Sequence, residues 1–171
     1  MNRKKAVKLI VLSSLAILAG WALILPAVTN RTANEKLSDI TGSSTMPQSV
    51  SATPSEQTNM PTSNSKVEEL FKGTLRGINR QSSEGDITIV KVDGKTYVRL
   101  EDNFTVTNGP DLLVGLGNNN SVDELIGDLK ANSGGQNYLV PDNIDINKFS
   151  QVFIHCRAFK YSFAVADLQK V

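Results

Sequence analysis

Three patterns of hydrophobic and polar positions follow one another along the chain. Residues 9–28 form an apolar run without a charge. Residues 29–66 are polar and lack aromatic side chains, and residues 67–171 contain short runs in which hydrophobic and polar side chains alternate. An uncharged run of 20 residues predicts a helix of about 30 Å, long enough to cross a bilayer. Short alternating runs predict β-strands. The chain is therefore expected to consist of an anchor, a tether and one β-rich domain.

The apolar run predicts a single-pass signal anchor in the plasma membrane. Four cations, Arg3, Lys4, Lys5 and Lys8, precede it, which places the basic segment 1–8 in the cytoplasm and everything after residue 28 outside. A cleavable signal usually has a shorter apolar core that ends at small residues. Gly20-Trp21-Ala22 could serve as such a cleavage site, so secretion after cleavage is the alternative.

Residues 29–66 are predicted to be a disordered stalk. They include 15 Ser or Thr residues, and Pro47, Pro54 and Pro61 are spaced along them. Such a composition buries too little apolar surface to offset the conformational entropy of folding.

The remaining residues, 67–171, are predicted to form an all-β domain, an antiparallel β-sandwich of jelly-roll or Greek-key type with one short helix. Asp93-Gly94 between two alternating runs is a strong hairpin signal. Further strands are expected at residues 87–92, 95–100, 104–107, 111–116, 136–140, 151–157 and 159–165. The helix is expected after Ser121, because Glu124 would complete a capping box. Gly115-Leu-Gly117 lacks the third glycine of a dinucleotide site, so we interpret it as a loop.

The charge and ligand content of the domain argue against several functions. Its 11 Lys and Arg against 14 Asp and Glu give −3, without a basic stripe, so nucleic acid is not an expected partner. No metal site is predicted, because one His and one Cys fall short of a closed zinc site. No catalytic residue is predicted, and a hydrolase lacks a triad because the only histidine, His155, is misplaced.

Cys156 is the only cysteine and is the candidate redox residue. In a strand, His155 and Arg157 point away from it, so neither is expected to activate the thiol. Val152 and Ile154 share its face, and a buried, purely structural cysteine is therefore the competing interpretation. Phe159, Tyr161 and Phe163 form an aromatic stripe, either core or the wall of a pocket.

A set of glycine, proline, aromatic and polar positions follows a recognisable order along the domain: Phe71, Gly73, Gly109, Pro110, Asp111, Leu112, Gly135, Gln136, Asn137, Tyr138, Pro141, Cys156, Phe163, Ala166 and Leu168. This order resembles the DM-thirteen family, an extracellular domain described as electron-transferring and found with DOMON domains in Skeletor-type proteins. One departure is His155, where the family pattern often has tryptophan. The resemblance implies a β-sandwich in which Cys156 acts as a bare thiol or as a ligand to a prosthetic group.

The sequence is therefore compatible with two functions. The first is extracytoplasmic electron transfer through Cys156, with a haem or another prosthetic group as an open alternative. The second is a binding or adhesion module in which Cys156 only packs. The possible pocket or motif residues are Gly109, Pro110, Asp111, Gly135, Tyr138, Pro141, Phe159 and Phe163. The expected partners are the membrane, through residues 9–28, and an extracytoplasmic protein or redox partner of unknown identity.

Overall fold

The computed structural model describes residues 30–42 and 65–171. The predicted anchor at residues 9–28 and most of the predicted stalk lie outside these residues. Within the part of the chain that is described, no helix is long and apolar enough to cross a membrane.

Twelve β-strands, all paired antiparallel, make up most of the described structure. They are β1 (Val67–Thr74), β2 (Arg76–Gly77), β3 (Ser83–Glu84), β4 (Asp86–Val92), β5 (Lys95–Leu100), β6 (Thr105–Val106), β7 (Leu112–Asn118), β8 (Ser121–Asp128), β9 (Gln136–Leu139), β10 (Gln151–Cys156), β11 (Tyr161–Asp167) and β12 (Gln169–Lys170). A short helix, α1 (Leu37–Ile40), precedes them, and a 3₁₀ helix spans Ile146–Lys148.

Two five-stranded sheets share one hydrophobic core. The first has the order β12-β1-β4-β5-β9 and the second β2-β11-β10-β7-β8, with β3 and β6 paired separately. Ile89 and Val98 of the first sheet and Val114 and Ile154 of the second are completely buried in the same cluster. The predicted all-β, antiparallel class is confirmed, and the shared core is compatible with the predicted sandwich. Jelly-roll or Greek-key connectivity stays a prediction.

The predicted hairpin between β4 and β5 is confirmed. Asp93 and Gly94 take positive φ angles of 48° and 86°, the left-handed geometry of a two-residue turn that matches strand twist. The register pairs Val92 with Lys95 and continues to Ile87 with Leu100.

The helix expected after Ser121 is wrong, because residues 121–128 form strand β8 and pair with β7. Gly115-Leu-Gly117, interpreted as a loop, lies inside β7. A Cβ at Gly117 would stand 1.9 Å from the Ser121 carbonyl oxygen, so glycine allows the two strands to approach. Pairing with the preceding strand β7 satisfies the backbone of β8, and the capping pattern of Ser121 and Glu124 does not report on that pairing.

The segment 30–42, assigned above to a disordered stalk, packs against the domain. Ala33 and Glu35 donate backbone hydrogen bonds to the Ser133 and Gly135 carbonyls, at 2.8 and 2.9 Å. Partners of this kind compensate for the low apolar content of the segment, which alone favoured disorder. The boundary predicted at Val67 therefore excludes residues that contact the domain.

Candidate functional site

Cys156 ends strand β10 and is completely buried as a free thiol. Its Cα partners are Leu112 on β7 and Tyr161 on β11. Directly opposed residues of antiparallel strands project to the same face, so Cys156 lies between these two side chains. Val152 and Ile154 belong to the same core cluster, as the alternation predicts.

The three aromatic residues of the predicted stripe form a compact cluster of stacked rings, called the aromatic stack from here on, beside Cys156. Ring centroids are 5.8 Å apart for Phe159 and Tyr161, 5.5 Å apart for Tyr161 and Phe163, and 6.3 Å apart for Phe159 and Phe163, so each ring neighbours the other two. Phe159 is 52% exposed, Tyr161 36% and Phe163 1%, so the stack runs from solvent into the core. Phe159 lies in the turn before β11, not in a strand as expected, and still stacks.

A β-bulge brings Phe163 into the core. The register pairs Ile154 with Ala164 but His155 with Ser162, which leaves Phe163 as the extra residue on β11. An extra residue shifts the alternation of the strand, so Phe163 and Ala164 are both buried. Strand β10 runs in regular register with β7 across the same positions.

His155 does not reach the thiol, in agreement with the strand alternation. Its Nδ1 atom lies 3.1 Å from the Ser162 Oγ, on the face opposite the buried Cys156. Burial lowers the pKa of His155 below its usual range, which favours the neutral ring.

The loop Gly109-Pro110-Asp111 covers the inner end of the aromatic stack. A Cβ at Gly109 would lie 3.0 Å from Phe163 Cε2 and 2.8 Å from Leu112 Cδ2. Asp111 accepts two hydrogen bonds from the Arg157 guanidinium, at 2.8 and 3.0 Å. These contacts raise the pKa of Arg157, so its charge is held by Asp111 and not directed at the thiol.

Gly109, Pro110 and Asp111 also line a surface groove of about 410 Å³. Its other wall runs along residues 128–132, and Arg31 borders it. The other proposed pocket residues do not line this groove: Gly135, Tyr138, Pro141, Phe159 and Phe163. The sequence motif is therefore distributed over more than one place in the fold.

The surroundings of Cys156 do not fit a prosthetic group in this conformation. The thiol has no exposed surface and lies in a continuous apolar cluster. A haem ligated by Cys156 would have to displace core side chains, and cores at native density resist such changes. No cluster of three or more metal-ligating side chains occurs among residues 30–42 and 65–171.

Gly135 directly precedes β9 of the other sheet, and Gln136 and Tyr138 on that strand form a polar cluster of their own. The buried Gln136 amide bonds to the Ala131 N–H and carbonyl, at 3.0 and 2.9 Å. Tyr138 donates to Gln136 Oε1 at 2.7 Å and accepts from the Lys130 N–H. Burial raises the pKa of Tyr138, so its hydroxyl stays protonated as a donor. Pro141 is exposed, and its carbonyl accepts the Ile144 N–H of a turn.

Arg99 and Lys130 are functional candidates that sequence reasoning missed. The Arg99 side chain is only 6% exposed and contacts Glu101, Asp102 and Asn137. Lys130 pairs with Glu35 at 2.8 Å. The only available signal was the position of Arg99 between hydrophobic strand residues, which ordinarily indicates an outward-facing side chain.

Comparison with known proteins assigns the domain to a family. The model of the family described as "Electron transfer DM13" matches residues 75–168, more than half of the chain. The chain belongs to this family. The resemblance seen in the sequence is thereby confirmed, and the DM13 assignment supports a redox-type role at a general level. No curated protein and no solved structure shows a significant match.

Proposed function

We propose that this DM13 domain transfers electrons outside the cytoplasm, anchored by residues 9–28, with Cys156 and Tyr161 as the redox-active pair. The observation that carries this proposal is the stack of Phe159, Tyr161 and Phe163, which joins solvent to the buried face of Cys156. The family description supports the reaction class, and the position of the stack beside Cys156 supports the choice of residues.

Electrons would enter and leave at the exposed end of the stack. An external one-electron oxidant would remove one electron from the Tyr161 phenol, and the phenolic proton would pass to water because Tyr161 is 36% exposed. The neighbouring thiol of Cys156 would then return one electron and one proton to the phenoxyl radical. The oxidant is reduced by one electron, and the thiol ends as a thiyl radical to be reduced by the electron donor.

Radical trapping tests this route. The full chain is oxidised with hexachloroiridate(IV), and the tyrosyl radical is followed by electron paramagnetic resonance. Tyr161→Phe should remove most of the signal, whereas Tyr97→Phe, the matched control, should retain it. Cys156→Ala should prolong the radical lifetime. Unchanged radical yield in Tyr161→Phe, or an unchanged lifetime in Cys156→Ala, would overturn the proposed pair.

The second candidate is a binding or adhesion module. It is favoured by the complete burial of Cys156 and by the pairing of Arg157, the nearest cation in sequence, with Asp111. A thiol without access or nearby positive charge is an ordinary small core residue. Alkylation of the folded chain distinguishes direct thiol chemistry from packing, because a purely structural thiol reacts only after unfolding.

A further inference from the structure

The segment 30–35, called the strap from here on, lies in extended form along residues 132–135. Asn132 donates to the Arg31 carbonyl at 2.9 Å, and Ala33 and Glu35 donate to the Ser133 and Gly135 carbonyls. Thr32 and Ser133 form a parallel β-bridge, with their Oγ atoms 2.9 Å apart. Bonds at every second residue are the pattern of strand addition to an edge.

Glu35 fixes the end of the strap through charge. Its carboxylate oxygens both lie 2.8 Å from Lys130 Nζ, and one accepts the Asn137 N–H at 2.9 Å. The Glu35 carbonyl accepts from Arg99 Nη1, also at 2.9 Å. Hydrogen bonds between ionised groups are about twice as strong as neutral ones. One residue of the strap therefore engages two cations of the domain.

Two glycines make room for the strap. A Cβ at Gly134 would stand 2.0 Å from the Ala33 carbonyl oxygen, and one at Gly135 would stand 2.5 Å from that of Glu35. Such approach is possible only where the side chain is absent. The surface at residues 132–135, called the strap groove from here on, is thus shaped to the backbone of an extended segment.

The C-terminal end of segment 30–42 contacts the residues that directly precede β1. Ser65 donates its hydroxyl to the Thr41 carbonyl at 2.6 Å. Thr41 and Ser65 are therefore in contact although residues 42–64 separate them in sequence. While segment 30–42 is docked, the distance between the predicted membrane span and the domain does not depend on the length of segment 43–64.

We propose that the docked strap holds the domain at the membrane surface. The inference rests on the anchor of the proposed function, since the predicted span ends at Val28 and the strap begins at Asn30. With the strap docked, only Thr29 separates the predicted span from the strap. With the strap released, residues 29–66 would act as a coil that spans roughly 30–40 Å. The strap groove therefore determines how far the domain reaches.

Disulfide trapping in the full chain tests docking. Thr32→Cys and Ser133→Cys are combined, because their adjacent hydroxyls place the substituted sulfurs within bridging range. Mild oxidation in membranes should give an intramolecular crosslink and a monomer on a non-reducing gel. Absence of a crosslink would overturn docking, and a covalent dimer would overturn docking within one chain.

Two glycine variants separate strap release from general strain. Gly134→Ala and Gly94→Ala are both substitutions at positive φ, +84° and +86°, but only the first clashes with the strap. Crosslinking should fall about tenfold in Gly134→Ala, a change of about 1.4 kcal/mol, and persist in Gly94→Ala. Equal crosslinking in both variants would contradict the inference that Gly134 makes room for the strap.

The distance between the domain and the membrane surface is then measured by fluorescence energy transfer. A dye on Lys95→Cys, an exposed position, is paired with acceptor headgroups in proteoliposomes. Transfer should fall in Gly134→Ala relative to Gly94→Ala, and equal transfer would overturn the surface position. A crosslinked protein that is released from membranes with a new N-terminus would refute the anchor while docking survives, so the two failures are distinguishable.

Discussion

Cys156 and Tyr161 are directly paired across the β10–β11 hairpin, and Cys156 belongs to the core cluster while Tyr161 stays partly exposed. The turn between them is closed by a hydrogen bond of 2.8 Å from the Lys160 N–H to the Cys156 carbonyl, with Lys160 at a positive φ of 59°. The position of the thiol is thus set by backbone geometry as well as by packing. Substitutions of Cys156 are therefore expected to change the stability of the domain according to how the new side chain fits this fixed, buried position.

Cys156→Ser is expected to destabilise the domain by about 1–3 kcal/mol, because it buries a hydroxyl in an apolar cluster. Chemical denaturation measures the loss. Cys156→Ala is the matched control, since it removes the sulfur without burying a polar group. If Cys156→Ser were as stable as the wild type, the site would be accessible to water, contrary to its complete burial.

Alanine replacements in the aromatic stack should lower the free energy of unfolding by very different amounts. Phe163→Ala is expected to lose about 3–5 kcal/mol, because this ring is buried in the core. Phe159→Ala should lose about 0.5 kcal/mol or less, as at other surface positions, because its ring is half exposed. Thermal or denaturant unfolding of both variants checks the contrast. Similar losses would mean that the stack behaves as one packed unit.

Much of the fold was predictable from local signals. The Asp93-Gly94 turn and the flanking alternation predicted β4 and β5 because both depend on neighbouring residues alone. Strand β8 was missed, although a comparable signal existed. Asn119 and Asn120 both adopt positive φ, 51° and 60°, and form the two-residue connection from β7. Asparagine tolerates this geometry, so Asn-Asn between apolar runs predicts a hairpin.

The candidate site was only partly predictable for the same reason. Alternation correctly separated His155 from Cys156, since side-chain direction in a regular strand follows the sequence. The bulge that buries Phe163 depends on how β11 pairs with β10, which a single strand does not encode locally. The strap groove joins Glu35 to Lys130, 95 residues apart, and composition alone indicated a tether there.

Arg99→Lys is expected to destabilise the domain despite the conserved charge. The planar guanidinium bonds to Glu101, Asp102 and the Glu35 carbonyl in different directions, and an ammonium reproduces few of these contacts. The loss should be about 1–3 kcal/mol, the range for buried donors and acceptors left without partners. Denaturation is compared with Lys91→Arg, an exposed position on β4. Equal stability of Arg99→Lys and wild type would show that one charge suffices.

His155 should make stability depend on pH in a window just below neutrality. Burial lowers its folded-state pKa, so between that value and the ordinary 6.5 the unfolded chain binds more protons than the folded one. The free energy of unfolding should therefore rise with pH through this window and level off above about 6.5. Asp145 and Asp167, whose pKa values are lowered by hydrogen bonds from Asn147 and Gln151 respectively, titrate at lower pH and do not interfere.

Denaturant unfolding between about pH 5 and 8 measures this effect, with His155→Gln as the control. The variant keeps a polar side chain near Ser162 but has no group that titrates in the window. Its unfolding free energy should stay flat where that of the wild type rises. Parallel profiles for the two proteins would mean that the folded domain protonates His155 as readily as the unfolded chain does, contrary to its burial beside β11.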